Sequence, residues 1–185
     1  MRYLIIFLLM ITGCSNGGGS DKPEQTGVAV FCDSIGATHQ ELIGWPERLN
    51  SLITEDVYYD CRIGERLDNY SVKKAIIDSG IKYRYGVLAL GFNDIAQGEY
   101  LGNTLDEYER KLSVLSSFGF EPVCVTYSYK TIVADKVNQF NDGILLICGE
   151  KGYKIITSTD QLFDGVHPTN AGSMETAENA WRVLY

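Results

Sequence analysis

The chain has 185 residues, 45% of them hydrophobic and 22% charged, with a formal net charge of -8. That length and composition suit one globular domain with a sizeable core. The acidic balance, with no run of Lys or Arg, argues against nucleic acid or an anionic membrane surface as an electrostatic partner.

Met1-Arg2 opens the chain and an apolar run from Tyr3 to Ile11 follows, then Thr12-Gly13-Cys14. A short positive start, an apolar middle and small residues before a cut site make an export signal. The run is about half the ~20 residues that a spanning helix needs. Ile11-Thr12-Gly13-Cys14 resembles the bacterial lipobox. That resemblance implies a leader over residues 1–13 and a lipid on Cys14 that anchors the exported chain to a membrane of the cell envelope. Ser15, in place of Asp, resembles lipoproteins sent on to an outer membrane. Residues 14–26 are Ser/Gly-rich and then polar, with Pro23, and read as a flexible tether. The folded domain is expected over residues 27–185.

Within it, Val28-Ala29-Val30-Phe31 is a continuous apolar run, as a buried parallel strand should be. Leu42, Trp45, Leu49 and Leu52 keep helical spacing and predict a helix from His39 to Ile53. Val57-Tyr58-Tyr59 is the next strand, and residues 72–77 look helical. Residues 85–90 form the clearest buried strand. Leu105, Tyr108, Leu112 and Leu115 predict an amphipathic helix from Leu105 to Phe118, with Thr104 and Glu107 at capping-box spacing. Residues 122–127 read as a strand. Residues 133–148 read as a helix weakened by Gly143, residues 153–156 as the last strand and residues 170–184 as the last helix. Five strands with helices between them predict an α/β fold on a parallel sheet. In such sheets ligands bind beyond the carboxyl ends of the strands.

Cys32, Cys61, Cys124 and Cys148 follow the tether. An exported chain can oxidise them, and four cysteines allow three pairings. The apolar runs around Cys124 and Cys148 predict buried free thiols instead. No Cys/His cluster points to a metal site.

The polar residues that could carry chemistry stand at the strand ends. The chain has only two histidines. His167 follows Asp164 by three residues in Asp164-Gly165-Val166-His167-Pro168, so one turn of backbone can supply a general base and the carboxylate that orients it. Ser34 follows the first strand as a nucleophile or a helix cap. Asn93 follows the third strand in Gly91-Phe92-Asn93-Asp94, as an oxyanion donor or an Asx turn. Gly64 follows the second strand as an amide donor or a plain turn glycine.

Taken together, the blocks Cys32-Asp33-Ser34-Ile35, Gly91-Phe92-Asn93-Asp94 and Asp164-Gly165-Val166-His167 resemble those of the SGNH, or G-D-S-L, hydrolase family. They stand in the family's order and span most of the domain. Trp45-Pro46 is similar to the branch that includes bacterial thioesterases, lysophospholipases and arylesterases. The resemblance implies a three-layer, flavodoxin-like α/β/α fold with five parallel strands. It implies a serine esterase that needs no cofactor or metal and acts on a small acylated substrate, a carbohydrate or lipid ester. Short acyl groups such as acetyl fit a domain with little room for a lid; lysophospholipid, thioester and non-catalytic binding roles are the alternatives. It casts Ser34 as nucleophile, His167 as base and Asp164 as orienting acid. The oxyanion donors would be the amides of Ser34 and Gly64 and the side chain of Asn93. Two positions depart. Cys32 stands where the family usually has Gly. Residues 60–65 match the second block only loosely, which leaves Gly64 or Glu65 as the amide donor.

Around these, His39 is read as a surface histidine at a helix start, with the cleft wall as the alternative. Tyr127-Ser128-Tyr129 is expected to wall the acyl pocket or to form an aromatic rim. Arg62 and Arg66 are read as solvated charges, with contact to a polar substrate group as the alternative. Asp33 and Asp94 are not expected to form a metal pair.

Overall fold

The structure, a computed structural model, describes residues 25–39, 41–130 and 133–185. The leader, Cys14 and the tether up to residue 24 lie outside them. Among the described residues no helix is long and apolar enough to cross a membrane.

Five strands form one parallel sheet: β1 (Val28–Cys32), β2 (Val57–Cys61), β3 (Tyr85–Ala89), β4 (Glu121–Thr126) and β5 (Lys154–Thr157). Their spatial order is β2-β1-β3-β4-β5. The helices are α1 (Trp45–Leu52), α2 (Val72–Ser79), α3 (Phe92–Ala96), α4 (Leu101–Ser117), α5 (Ala134–Lys151) and α6 (Asn170–Leu184). This is the expected three-layer arrangement. Successive strand residues point to opposite faces. Phe31, Leu88 and Cys124 therefore pack against α2, α4 and α5. Val30, Val87 and Val125 pack against α1 and α6. β1 and β3 are buried on both faces, which is why their sequences read as unbroken apolar runs. Full burial of a side chain such as Phe31 is worth roughly 1.5–3 kcal/mol. An exposed pair such as Arg84–Glu121, 2.9 Å apart, is worth at most about 1 kcal/mol. The two apolar layers therefore hold the fold.

The chain reverses order between β1 and β3, whose neighbours lie on opposite sides. In open sheets of this kind ligands bind beyond the carboxyl ends of the strands, at such a switch point.

The structure corrects the sequence reading in four places. The first helix begins at Trp45, not His39, with Pro46 in its first turn. Ahead of it, the Thr38 hydroxyl accepts the Gly44 amide and donates to Glu47, and His39 bridges Leu42. These bonds satisfy the backbone without a helix. α4 begins at Leu101, capped by Tyr100 with no side-chain cap bond. Thr104 is buried within its first turn, so the capping box does not form. α3 was read only as a strand end, because five residues are too few to show a period. Lastly, the cysteines are not free thiols. Cys32 is bonded to Cys61 and Cys124 to Cys148, with Cα separations of 4.3 and 6.6 Å. Half-cystines and buried thiols share the same apolar surroundings, and only the tertiary fold brings the partners together.

Candidate active site

The turn carrying Ser34 grows directly out of β1. The amides of Gly36 and Ala37 donate to the Asp33 carbonyl at 3.2 and 3.1 Å, and the Asp33 amide reaches back to Ala89 at 3.3 Å. Asp33 Oδ1 accepts the Ile35 amide at 2.9 Å. These bonds fold the chain tightly around Ser34, which stays partly exposed. Asp33 itself is fully buried. Burial pushes its carboxyl up to about 7; the Ile35 amide opposes the shift and the nearby Asp94 charge adds to it. Its second oxygen and the Tyr127 hydroxyl are buried without hydrogen-bond partners.

The Asp164–His167 loop is built differently. Asp164 Oδ1 accepts the amides of Val166 and His167 at 2.9 and 2.7 Å. Oδ2 accepts His167 Nδ1 at 2.8 Å. Burial alone would raise the Asp164 carboxyl, but these hydrogen bonds outweigh it and hold the group below the usual carboxylate range. With Nδ1 donating, His167 Nε2 is left as an acceptor, and it lies 3.1 Å from Ser34 Oγ. The Phe163 ring stacks on the imidazole, with centroids 5.9 Å apart. Ser34, His167 and Asp164 thus meet across 133 residues of sequence, in the hydrogen-bonding order that transfers a hydroxyl proton to a base.

Asn170 was not singled out in the sequence. Its Oδ1 accepts the Ile43 amide at 3.0 Å and its amide group donates to the Glu41 carbonyl at 3.1 Å. It bolts the start of α6, and so the His167 loop, to the loop ahead of α1. A polar residue just after the helix cap gave no local signal of such a distant partner.

Gly64 occupies the left-handed position (φ 73°) of a turn over residues 62–65. The Glu65 amide closes that turn onto the Arg62 carbonyl at 3.2 Å. Glu65 is therefore already used, which leaves Gly64 as the amide candidate. Asn93 Nδ2 donates to the Glu65 carbonyl at 2.9 Å, and Asp94 Oδ2 accepts the Leu67 amide at 2.9 Å. The Gly91-Phe92-Asn93-Asp94 block thus braces the second loop. Gly91 permits this with φ 111°. A Cβ there would fall 2.5 Å from Phe140 Cζ, so no other residue fits.

A groove of about 330 Å³ opens beside Ser34 and His167. Ile35, Leu42, Ile63 and Phe163 make much of its wall. His39 also lines it, so the cleft alternative holds, with no helix start at that residue. Tyr127 and Tyr129 do not line this groove. They pack on Phe92, at 6.1 and 4.8 Å between ring centroids, because their strand end points into the α3–α5 side of the core. Arg62 pairs with Asp60 at 2.7 Å; Arg66 pairs with Asp68 and Glu99 at 2.9 and 2.6 Å. Asp33 and Asp94 serve loop amides. Among the described residues no group of three or more His, Cys, Asp or Glu is placed to hold a metal ion.

No protein-family model matches the chain, and no curated protein matches its sequence. Its shape is similar to several solved structures. One is a member of the lipolytic protein G-D-S-L family from Veillonella parvula, at 18% identity and a TM-score of 0.72, covering 86% of this chain and 98% of that one. A second is the acetyl xylan esterase AlAXEase, at 13% identity and a TM-score of 0.73, covering 86% of this chain and 100% of that one. A third is TesA, at 16% identity and a TM-score of 0.72, covering 86% and 98%. The chain has the α/β/α fold of the SGNH hydrolases.

Proposed function

We propose that the chain is an SGNH-family serine esterase that hydrolyses acyl esters. The observation that carries this reading is the unbroken hydrogen-bond line from Asp164 through His167 to Ser34, with links of 2.8 and 3.1 Å, at the mouth of a groove. Ser34 Oγ attacks the ester carbonyl while His167 Nε2 takes its proton. Asp164 orients the imidazole and stabilises its charged form. The amides of Ser34 and Gly64 and the Asn93 side chain donate to the oxyanion. His167 then returns the proton to the departing alcohol. Water, activated by the same imidazole, cleaves the acyl-enzyme, releases the acid and restores Ser34.

The substrate of this reading is a small molecule carrying a short acyl group, such as an acetylated carbohydrate. Two observations support it. The groove is open at its rim, where Ile63 and Phe163 are 63% and 58% exposed, and one fold neighbour is named an acetyl xylan esterase. The apolar lining favours a second reading, in which a longer chain lies along Ile63 and Phe163, as in a lysophospholipase or thioesterase. A lipid on Cys14 would tether the exported enzyme to a membrane of the cell envelope.

The full chain is expected to hydrolyse p-nitrophenyl acetate, and Ser34→Ala is not; equal rates for the two would sink the assignment. Butyrate and octanoate esters rank the readings. A kcat/KM that falls with chain length supports the first and one that rises supports the second. Fatty-acid labelling and membrane association should both be lost in Cys14→Ser.

A further inference from the structure

Cys32 stands two residues before Ser34, and its disulfide partner Cys61 stands three residues before Gly64. The two are direct register partners at the carboxyl ends of β1 and β2. The bond therefore joins the nucleophile turn to the candidate oxyanion turn at the point where both leave the sheet. Two further contacts localise the effect. The Arg62 amide donates to the Cys32 carbonyl at 2.9 Å. The Cys32 sulfur packs so closely beneath Gly36 that a Cβ on that glycine would overlap it. The disulfide is thus packed against the turn that presents Ser34.

At its base the oxyanion turn is tied by Arg62 to Asp60 and to the Tyr70 ring, while its tip lies free of the sheet. β2 is an edge strand, paired only with β1. Ile63 and Gly64 at the tip of the turn are exposed, and strand ends at a sheet edge open at low cost. Asn93 holds the far side of the turn through Glu65; Cys61 holds the near side. The second disulfide offers a contrast. Cys124 and Cys148 tie β4 to α5 within the core, and neither stands next to the turns that carry Ser34 and Gly64.

We propose that Cys32–Cys61 is a positioning element of the active site, one that holds the Gly64 turn in register with Ser34. A dithiol that reduces this bond then lowers turnover without unfolding the chain. The inference rests on the esterase reading. In the reduction, the disulfide takes up two electrons and two protons to give two thiols, and the dithiol becomes a cyclic disulfide. Displacement of a catalytic group by about 1 Å can cost ~10²-fold in rate, whereas a bond that only stabilises the fold leaves kcat unchanged in the folded fraction.

The test uses the full chain carrying Cys124→Ala and Cys148→Ala, in which Cys32–Cys61 is the one disulfide left. Dithiothreitol should lower its kcat on p-nitrophenyl acetate by about 10- to 100-fold. KM should stay within about twofold, and labelling of Ser34 by a fluorophosphonate should slow in parallel. Oxidised glutathione, itself reduced to two thiols, should restore the rate. The Cys32→Ala/Cys61→Ala chain should show the low kcat from the outset and no response to dithiothreitol. A kcat unchanged after two new thiols appear overturns the proposal. So does a kcat that falls only in proportion to the unfolded fraction read by near-UV circular dichroism. If the oxidised chain shows no Ser34-dependent hydrolysis, the esterase reading fails first and takes this inference with it.

Discussion

The two loops that meet at the candidate site differ in how much of their order comes from distant contacts. The Asp164–His167 loop is half open to solvent, with side-chain exposures of 40% and 36%, and most of its order is local. Asp164 alone satisfies two amides and the imidazole within three residues. The turn carrying Ser34 is also closed locally, by three amides on Asp33, but it is braced from a distance as well, by Ala89 behind it and Cys61 beside it. The comparison separates two design problems. A base and its orienting acid can be built from one short stretch of chain. The Ser34 hydroxyl, by contrast, is presented by the end of β1, within 3.1 Å of the imidazole.

Substitutions can break this comparison, and the largest effects belong to the groups that face each other across it. Ser34→Ala and His167→Ala should each lower kcat by ~10⁴-fold or more, measured with p-nitrophenyl acetate. A residual rate above a tenth of the parent's would remove the residue from the mechanism. Asp164→Asn should cost about 10⁴-fold through the wrong imidazole tautomer. Its amide oxygen can still accept the two loop amides, so the thermal midpoint should barely move. Loss of both rate and fold would show that the loop is less self-contained than its hydrogen bonds indicate. On the braced side, Asn93→Ala should lower kcat by ~10²–10³-fold. A loss below tenfold would reduce Asn93 to a structural brace for Glu65.

The smallest effect concerns Asp33, where stability rather than rate should respond. The folded state holds its proton more tightly than the unfolded chain does. Ionising Asp33 therefore removes stability as pH rises from 3.8 to about 7, the reverse of the usual aspartate, and nothing more is lost above that window. Asp33→Asn keeps the acceptor for the Ile35 amide and has no charge to bury. Relative to the parent it should gain stability across that window, up to about 4 kcal/mol, because it carries no charge whose burial opposes ionisation. Urea unfolding at pH 4 and pH 8 measures the difference. A constant gap between the two chains would mean that Asp33 binds its proton equally tightly in the folded and unfolded states.

The same contrast explains how far the sequence could be read. Asp164 and His167 were legible because three residues of spacing already place one beside the other. Ser34 and Asn93 were legible by their strand ends and by resemblance to family blocks, although neither carries a local signal stronger than a cap or a turn. The start of α1 was misread because Leu42 keeps helical spacing while Thr38 and Gly44 satisfy the backbone another way. The cysteines were misread because a strand residue and a partner 29 positions away share no local pattern. Asn170 escaped notice for the same reason.

By itself, then, the sequence determined the alternation of strands and helices, the apolar layers and the Asp-x-x-His loop. Each depends on periodicity or on neighbours a few bonds apart. Tertiary structure alone decided which cysteines join, that His39 lines the groove while Tyr127 and Tyr129 do not, and that Glu65 is spent on its own turn. Those outcomes rest on contacts between strand ends far apart in the chain, which exist only once the parallel sheet has set its order and register.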